Sequence, residues 1–248
     1  MSNNFLHLPI LRRGEHRTDE AVVVIGLGRF GGTIARQLEG NLHHDVLGID
    51  RNPEIVQRFA DELRHVAEAD STDPVALRQL GVPDFTTAVV AIGDDIEASV
   101  LTAAALVDLG VPNIWAKAIS DAHGHILHRI LDGAPSHHVV YPEREMGERV
   151  AHQVTGGVLD YFQLDEEGEE DDLTFVETMA PADAFGKTLT EADLRRRFGV
   201  TIVAVKNPGE RFTYATPETT LSERSKIVAV GDARSIEKFT AHRDGVAR

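Results

Sequence analysis

The 248-residue chain has no cysteine, one tryptophan, three tyrosines and no long apolar run. Without cysteine there is neither a disulfide nor a thiolate metal site, which fits a reducing cytosol. No stretch approaches the ~18–20 apolar residues needed to cross a bilayer. Residues 1–20 carry charges and a helix-breaking Pro9 but no apolar segment of signal-peptide length, and read as a mobile tail. Positive charge is scarce as well: 25 Lys and Arg stand against 40 Asp and Glu, a formal balance of −15. Seven of the acids form one run, Asp165, Glu166, Glu167, Glu169, Glu170, Asp171 and Asp172, and without them the balance is −8. Such a surface repels nucleic acid and anionic lipid. The run reads as a solvated linker, since its spacing lacks the alternating ligands of an EF-hand calcium loop.

Apolar residues make up 42% of the chain, enough for a packed core. The most informative stretch is 22–50. An apolar run, Val22 to Ile25, ends in Gly26-Leu27-Gly28-Arg29-Phe30-Gly31. From Arg29 to Leu38 the spacing turns helical, with Phe30, Ile34 and Leu38 on one face. A second apolar run, Val46 to Ile49, ends at Asp50, nineteen residues after Gly31. This is strand, glycine turn, helix, strand, acid, the pattern of a nucleotide-binding unit. Gly26 permits the tight turn, Gly28 lets a phosphate approach the backbone, and Gly31 lets helix and strand pack. The helix N-terminus offers N–H groups and partial positive charge to phosphates, and Asp50 can accept from ribose hydroxyls.

Strand and helix then alternate. Arg51-Asn52-Pro53 leads into a helix over 54–63, a strand follows at 65–69, and Asp70-Ser71-Thr72-Asp73 caps a helix over 75–80. Residues 87–92 form a buried strand closed by Ile92 and Gly93, Asp94-Asp95 opens a helix to 109, and 113–118 is a strand that ends near Lys117. A helix over 121–131 and a strand over 138–141 complete the series. Such alternation predicts an α/β fold, a Rossmann-like doubly wound parallel sheet over 21–142. Ligands sit at the carboxyl ends of such strands, where Gly26, Asp50, Asp70 and Gly93 fall. Residues 142–161 read as one helix weakened by Gly156-Gly157, so 143–172 is expected to be a crossover helix and acidic linker. A second, smaller α+β domain is expected over 173–242. Its strands are expected at 174–179, 200–206, 211–214 and 226–230, and its helices at 189–198 and 233–240.

The strings GLGRFG, VVAIGDDIEAS, VPNIWAKA and PEREMG, with Asp50 and Asn52 and then FGVTIVAVK and Pro217, resemble the RCK (or KTN) regulatory proteins of bacterial potassium transport. The likeness is to the KtrA type of the TrkA family and covers about residues 20–240. It implies a TrkA-N-like lobe, a TrkA-C-like lobe, and dimers assembled into an octameric ring. The ring docks beneath a potassium-conducting membrane subunit of the KtrB or TrkH type, so the protein is expected to be cytoplasmic and peripheral to the membrane. ATP and ADP compete for the cleft, and some members use NAD(H). By this resemblance Gly28, Arg29 and Phe30 line the phosphates and Lys117 lies near them. Asp50 and Asn52, flanking Arg51, hold the ribose, and Asp70, Ser71 and Thr72 border the adenine. The family pattern has a neutral asparagine where this chain has Asp70. Glu143 matches a glutamate that supports Mg²⁺ or Ca²⁺ at a dimer interface. Arg195, Thr201, Ile202 and Pro217 match positions that bind cyclic di-AMP between two C-lobes. From the residues alone, Glu143 is an acid at a helix start, and Arg195 shares a solvated face with Arg196 and Arg197.

Twelve histidines are present, but adjacent pairs on a strand, such as His137 and His138, point to opposite faces. His123, His125 and His128 share part of one helix face with no acid fixed beside them. No serine or histidine motif suggests a nucleophile. An NAD(P)-dependent oxidoreductase is the alternative function. It would need a substrate domain with a proton donor over the nicotinamide, and the second domain is small. The sequence therefore reads as a nucleotide-sensing regulator and not an enzyme.

Overall fold

The computed structural model describes residues 21–133, 136–154, 157–164 and 173–243. The expected tail over 1–20 and the acidic run over 165–172 lie outside them. The chain divides into two compact units, 1–142 and 143–248.

The first unit runs β1 (Ala21–Ile25), α1 (Arg29–Gly40), β2 (Asp45–Asp50), α2 (Pro53–Phe59), β3 (His65–Glu68), α3 (Pro74–Gln79) and β4 (Thr87–Val90). It continues with α4 (Ile96–Asp108), β5 (Asn113–Lys117), α5 (Asp121–Leu131) and β6 (His138–Val140). The six strands pair in parallel in the order β3-β2-β1-β4-β5-β6. The order reverses between β1 and β4, which opens a crevice at their carboxyl ends. Both faces are covered. Val23 and Ile25 belong to one buried cluster with Leu77, Leu106 and Leu127, whereas Val22 and Val24 belong to another with Ala35 and Phe59. The alternation of β1 thus feeds two cores, which is why it reads as an unbroken apolar run. Side chains cap the later helices: Asn52 on α2, Asp73 on α3, Asp95 on α4 and Ser120 on α5. Strand β4 ends at Val90, two residues short of expectation, so Ile92 and Gly93 belong to the loop that borders the crevice.

The second unit departs further from the sequence reading. The helix expected over 142–161 ends at Val154 as α6 (Pro142–Val154), and Asp160–Leu164 is a strand, β7. Arg149 on α6 holds Asp160 through two 2.6 Å contacts, which fixes the passage from helix to strand. Strands β8 (Leu173–Met179), β9 (Thr201–Lys206), β10 (Thr213–Tyr214) and β11 (Lys226–Gly231) join β7 in an antiparallel sheet ordered β10-β9-β11-β8-β7. The helix expected over 189–198 is two short helices, α7 (Leu189–Ala192) and α8 (Leu194–Phe198). Asp193 divides them at φ +48°, and a capping box between Thr188 and Glu191 starts the first. Helix α9 (Ala233–Arg243) contributes Phe239, whose ring centroid lies 5.4 Å from that of Phe198 in this unit's core. No helix among the described residues is long and apolar enough to cross a membrane.

Candidate functional site

Gly26 has φ +89°, and a Cβ there would meet the Ala91 carbonyl carbon at 3.1 Å. A Cβ on Gly31 would stand 1.9 Å from the Gly26 carbonyl oxygen. Both glycines are therefore demanded by the protein's own packing. Gly28 is different. A Cβ there would meet nothing within 4 Å, so the fold itself does not require a glycine. Gly28 is the N-cap of α1, where no side chain accepts from the first turn and no acid stands within it. The start of α1 thus presents free backbone donors, unlike α2 to α5, at the reversal of strand order.

Asp50 ends β2 beside this turn. Its Oδ2 accepts the Leu27 N–H at 2.8 Å and its Oδ1 accepts the Asn52 N–H at 2.8 Å. Each oxygen keeps lone-pair capacity for a further donor such as a ribose hydroxyl. Asn52 Oδ1 is engaged with the Glu54 N–H at 2.9 Å as the cap of α2, which leaves its amide NH₂ as the group that can face a ligand. Arg51 reaches across the crevice mouth to Asp95, with Nη1–Oδ2 at 2.9 Å. The Asp95 carboxyl is held below the usual carboxylate range, first by the Ala98 N–H and then by Arg51. The Asp94-Asp95 pair before a helix was the sequence signal for this cap, but not for the bridge to Arg51.

Residues expected at the adenine are largely turned toward one another. Asp70 Oδ1 accepts the Thr72 N–H at 3.0 Å and the Thr72 hydroxyl at 2.7 Å, and these bonds hold its carboxyl below the usual range. Ser71 points inward, its Oγ 2.8 Å from Thr102 Oγ1 on α4. Asp70 and Thr72 remain at the crevice edge, but the Ser71 hydroxyl is spent on packing. Arg29 is exposed and Phe30 half-buried. Lys117 is 8% exposed, with Nζ 5.5 Å from the Phe30 ring centroid. A Cβ on Gly93 would lie 3.2 Å from that Nζ, so the glycine leaves room for the ammonium. The structure thus gathers Gly26, Gly28, Phe30, Gly31, Asp50, Gly93 and Lys117 around one crevice. This donor set fits a nucleotide, with phosphates toward α1 and sugar toward Asp50.

Residues 22–142 match the TrkA-N domain and 173–242 the TrkA-C domain. The chain is 34% identical to Ktr system potassium uptake protein A of Bacillus subtilis, over 87% of this chain and 93% of that one. It is 37% identical to Ktr system potassium uptake protein C of the same organism, over 87% and 94%. It belongs to the Ktr potassium uptake protein family. The GsuK channel has the same fold, with a TM-score of 0.67 and 21% identity, over 95% of this chain and 40% of that one.

In this Ktr-family chain the other expected site residues lie in the second unit, apart from the glycine turn in sequence. Glu143 is exposed in the first turn of α6. Among the described residues no three imidazole or carboxylate groups are gathered to hold a metal ion. Arg195 is exposed on α8, Thr201 begins β9 exposed, and Ile202 beside it is half-buried. Pro217 is tied to α7, its carbonyl accepting the Thr190 N–H at 3.1 Å and hydroxyl at 2.9 Å.

Proposed function

We propose that this Ktr-family chain is a cytoplasmic regulatory subunit of potassium uptake that senses an adenine nucleotide and gates a separate membrane subunit. The reading rests above all on Gly28: a glycine that packing does not require, at the uncapped start of α1, beside the Asp50 carboxylate. The named relatives are potassium uptake proteins. The ligand is ATP or ADP, with NAD(H) second. Arg29 distinguishes ATP from ADP, because its exposed guanidinium at the start of α1 suits an additional phosphate.

Gating requires a ligand that prefers one state. Reversing a two-state ring takes ~5.5 kcal/mol of differential binding, so under ~1 kcal/mol per site suffices when several sites contribute. The chain acts as dimers within an octameric ring, docked on its potassium-conducting partner at the inner face of the membrane. In this reading Glu143 takes part in an oxygen-liganded Mg²⁺ or Ca²⁺ site completed by a second copy. Arg195, Thr201, Ile202 and Pro217 contact cyclic di-AMP between two C-lobes.

The test measures melting shifts with ATP, ADP, NADH and NADPH, followed by potassium flux through the reconstituted complex. A ligand of the folded state raises the melting temperature by mass action. Large shifts with ATP and ADP, and opposite effects of the two on flux, are expected. Preferential NADPH binding with hydride turnover would establish the oxidoreductase reading instead.

A further inference from the structure

Helix α5 returns from the carboxyl end of β5 to the amino end of β6, so its last turn lies at the sheet edge opposite the glycine turn. A cavity of about 530 Å³ opens there. His125, His128 and Arg129 of α5 line it, with Asp132 just beyond the helix and His137 leading into β6. It is an open depression, with His125, His128, Arg129 and Asp132 exposed along it. The nucleotide crevice uses none of these residues. A metal centre is not gathered from the three imidazoles, since no ligand group of three exists among the described residues.

The polar groups are of two kinds. Arg129 is a fork of donors suited to an oxyanion. His137 Nδ1 lies 3.2 Å from the Leu131 carbonyl oxygen. A carbonyl can only accept, so Nδ1 donates here, and in the tautomer this contact selects Nε2 is the acceptor. Asp132 adds a second acceptor and a negative charge. A bare dianion would satisfy Arg129 and leave these acceptors unmatched against like charge. A neutral polyol would leave the guanidinium unmatched. An oxyanion that also carries hydroxyl groups satisfies both. We propose that this cavity is a second ligand site that takes a polyol or sugar phosphate monoester. Its phosphate sits on Arg129 and its hydroxyls donate to His137 and Asp132.

The full chain is titrated with glycerol 3-phosphate, sulfate and glycerol by calorimetry. Saturable binding of glycerol 3-phosphate is expected, with sulfate and glycerol at least about tenfold weaker. Arg129→Gln abolishes it and His137→Phe weakens it about tenfold, while both variants keep the parent's melting shift with ADP and NADH. That shift separates failure of this cavity from failure of the nucleotide reading. No calorimetric binding below ~10 mM overturns the proposal. Equal binding of sulfate marks a nonspecific anion site and overturns it too. Unchanged affinity in Arg129→Gln places the phosphate elsewhere, at the glycine turn, with the same consequence.

Discussion

The Asp50 carboxylate and the Leu27 backbone are joined by a 2.8 Å hydrogen bond that spans 23 residues of sequence. The acid that would hold a ribose therefore also fixes the glycine turn against β2, and the sugar and phosphate ends of the crevice are coupled through one side chain. Asp50→Ala should weaken ATP, ADP and NADH together, about ten- to a hundredfold by calorimetry. A loss confined to one of the three would place Asp50 away from the ribose they share.

The glycines should separate by experiment as they do by geometry. Gly31→Ala forces a methyl against the Gly26 carbonyl and should cost ~1–3 kcal/mol in denaturant unfolding. Gly28→Ala places its methyl in open space and should cost less than ~1 kcal/mol. It should nevertheless abolish the melting shift produced by nucleotide. A Gly28→Ala protein that binds nucleotide like the parent would remove the phosphate from this turn.

Lys117 is buried at the crevice near Phe30 and Gly93. Replacing it with methionine keeps the packing stem and removes a charge that is costly to desolvate. Lys117→Met should bind ADP about tenfold more weakly. Lower melting with unchanged ADP affinity would make Lys117 purely structural.

His123 is 1% exposed, receives the Ile119 N–H on Nδ1 at 3.4 Å, and has a buried Nε2 with no partner. Burial pushes its pKa below the ordinary histidine value. The folded state therefore keeps the ring neutral while the unfolded chain takes up a proton near pH ~6.5. The unfolded state then binds more protons, so stability is full above that pH and is lost as pH falls below it toward the lower folded value. His123→Leu should flatten the melting temperature between pH ~7 and ~5 relative to the parent. Parallel curves for the two proteins would show that His123 does not titrate on unfolding.

The first unit was legible because its signals are local. Each apolar run is a strand buried on both faces, and Gly26 and Asp50 mark where strands stop. The inward turn of Ser71 toward Thr102 and the Arg51–Asp95 bridge depend on pairings across the sheet, which no local pattern encodes. In the second unit, the helix expected over 142–161 runs into Tyr161, which with Phe162 belongs to β7. Their strand state comes from pairing with Val176 and Phe175 of β8. Asp193 breaks the helix over 189–198 without the glycine or proline that would announce it.

The place of β7 also governs how the protein can be cut. The TrkA-C match begins at Leu173, yet Asp160–Leu164 pairs with β8 along its whole length. A truncation that starts at Leu173 would strip that partner and leave β8 as a bare edge offering Phe175 and a row of unpaired N–H and C=O groups, an invitation to pair with another chain. Dimers seen with such a fragment could arise from the cut itself, so a faithful C-terminal piece has to begin before β7.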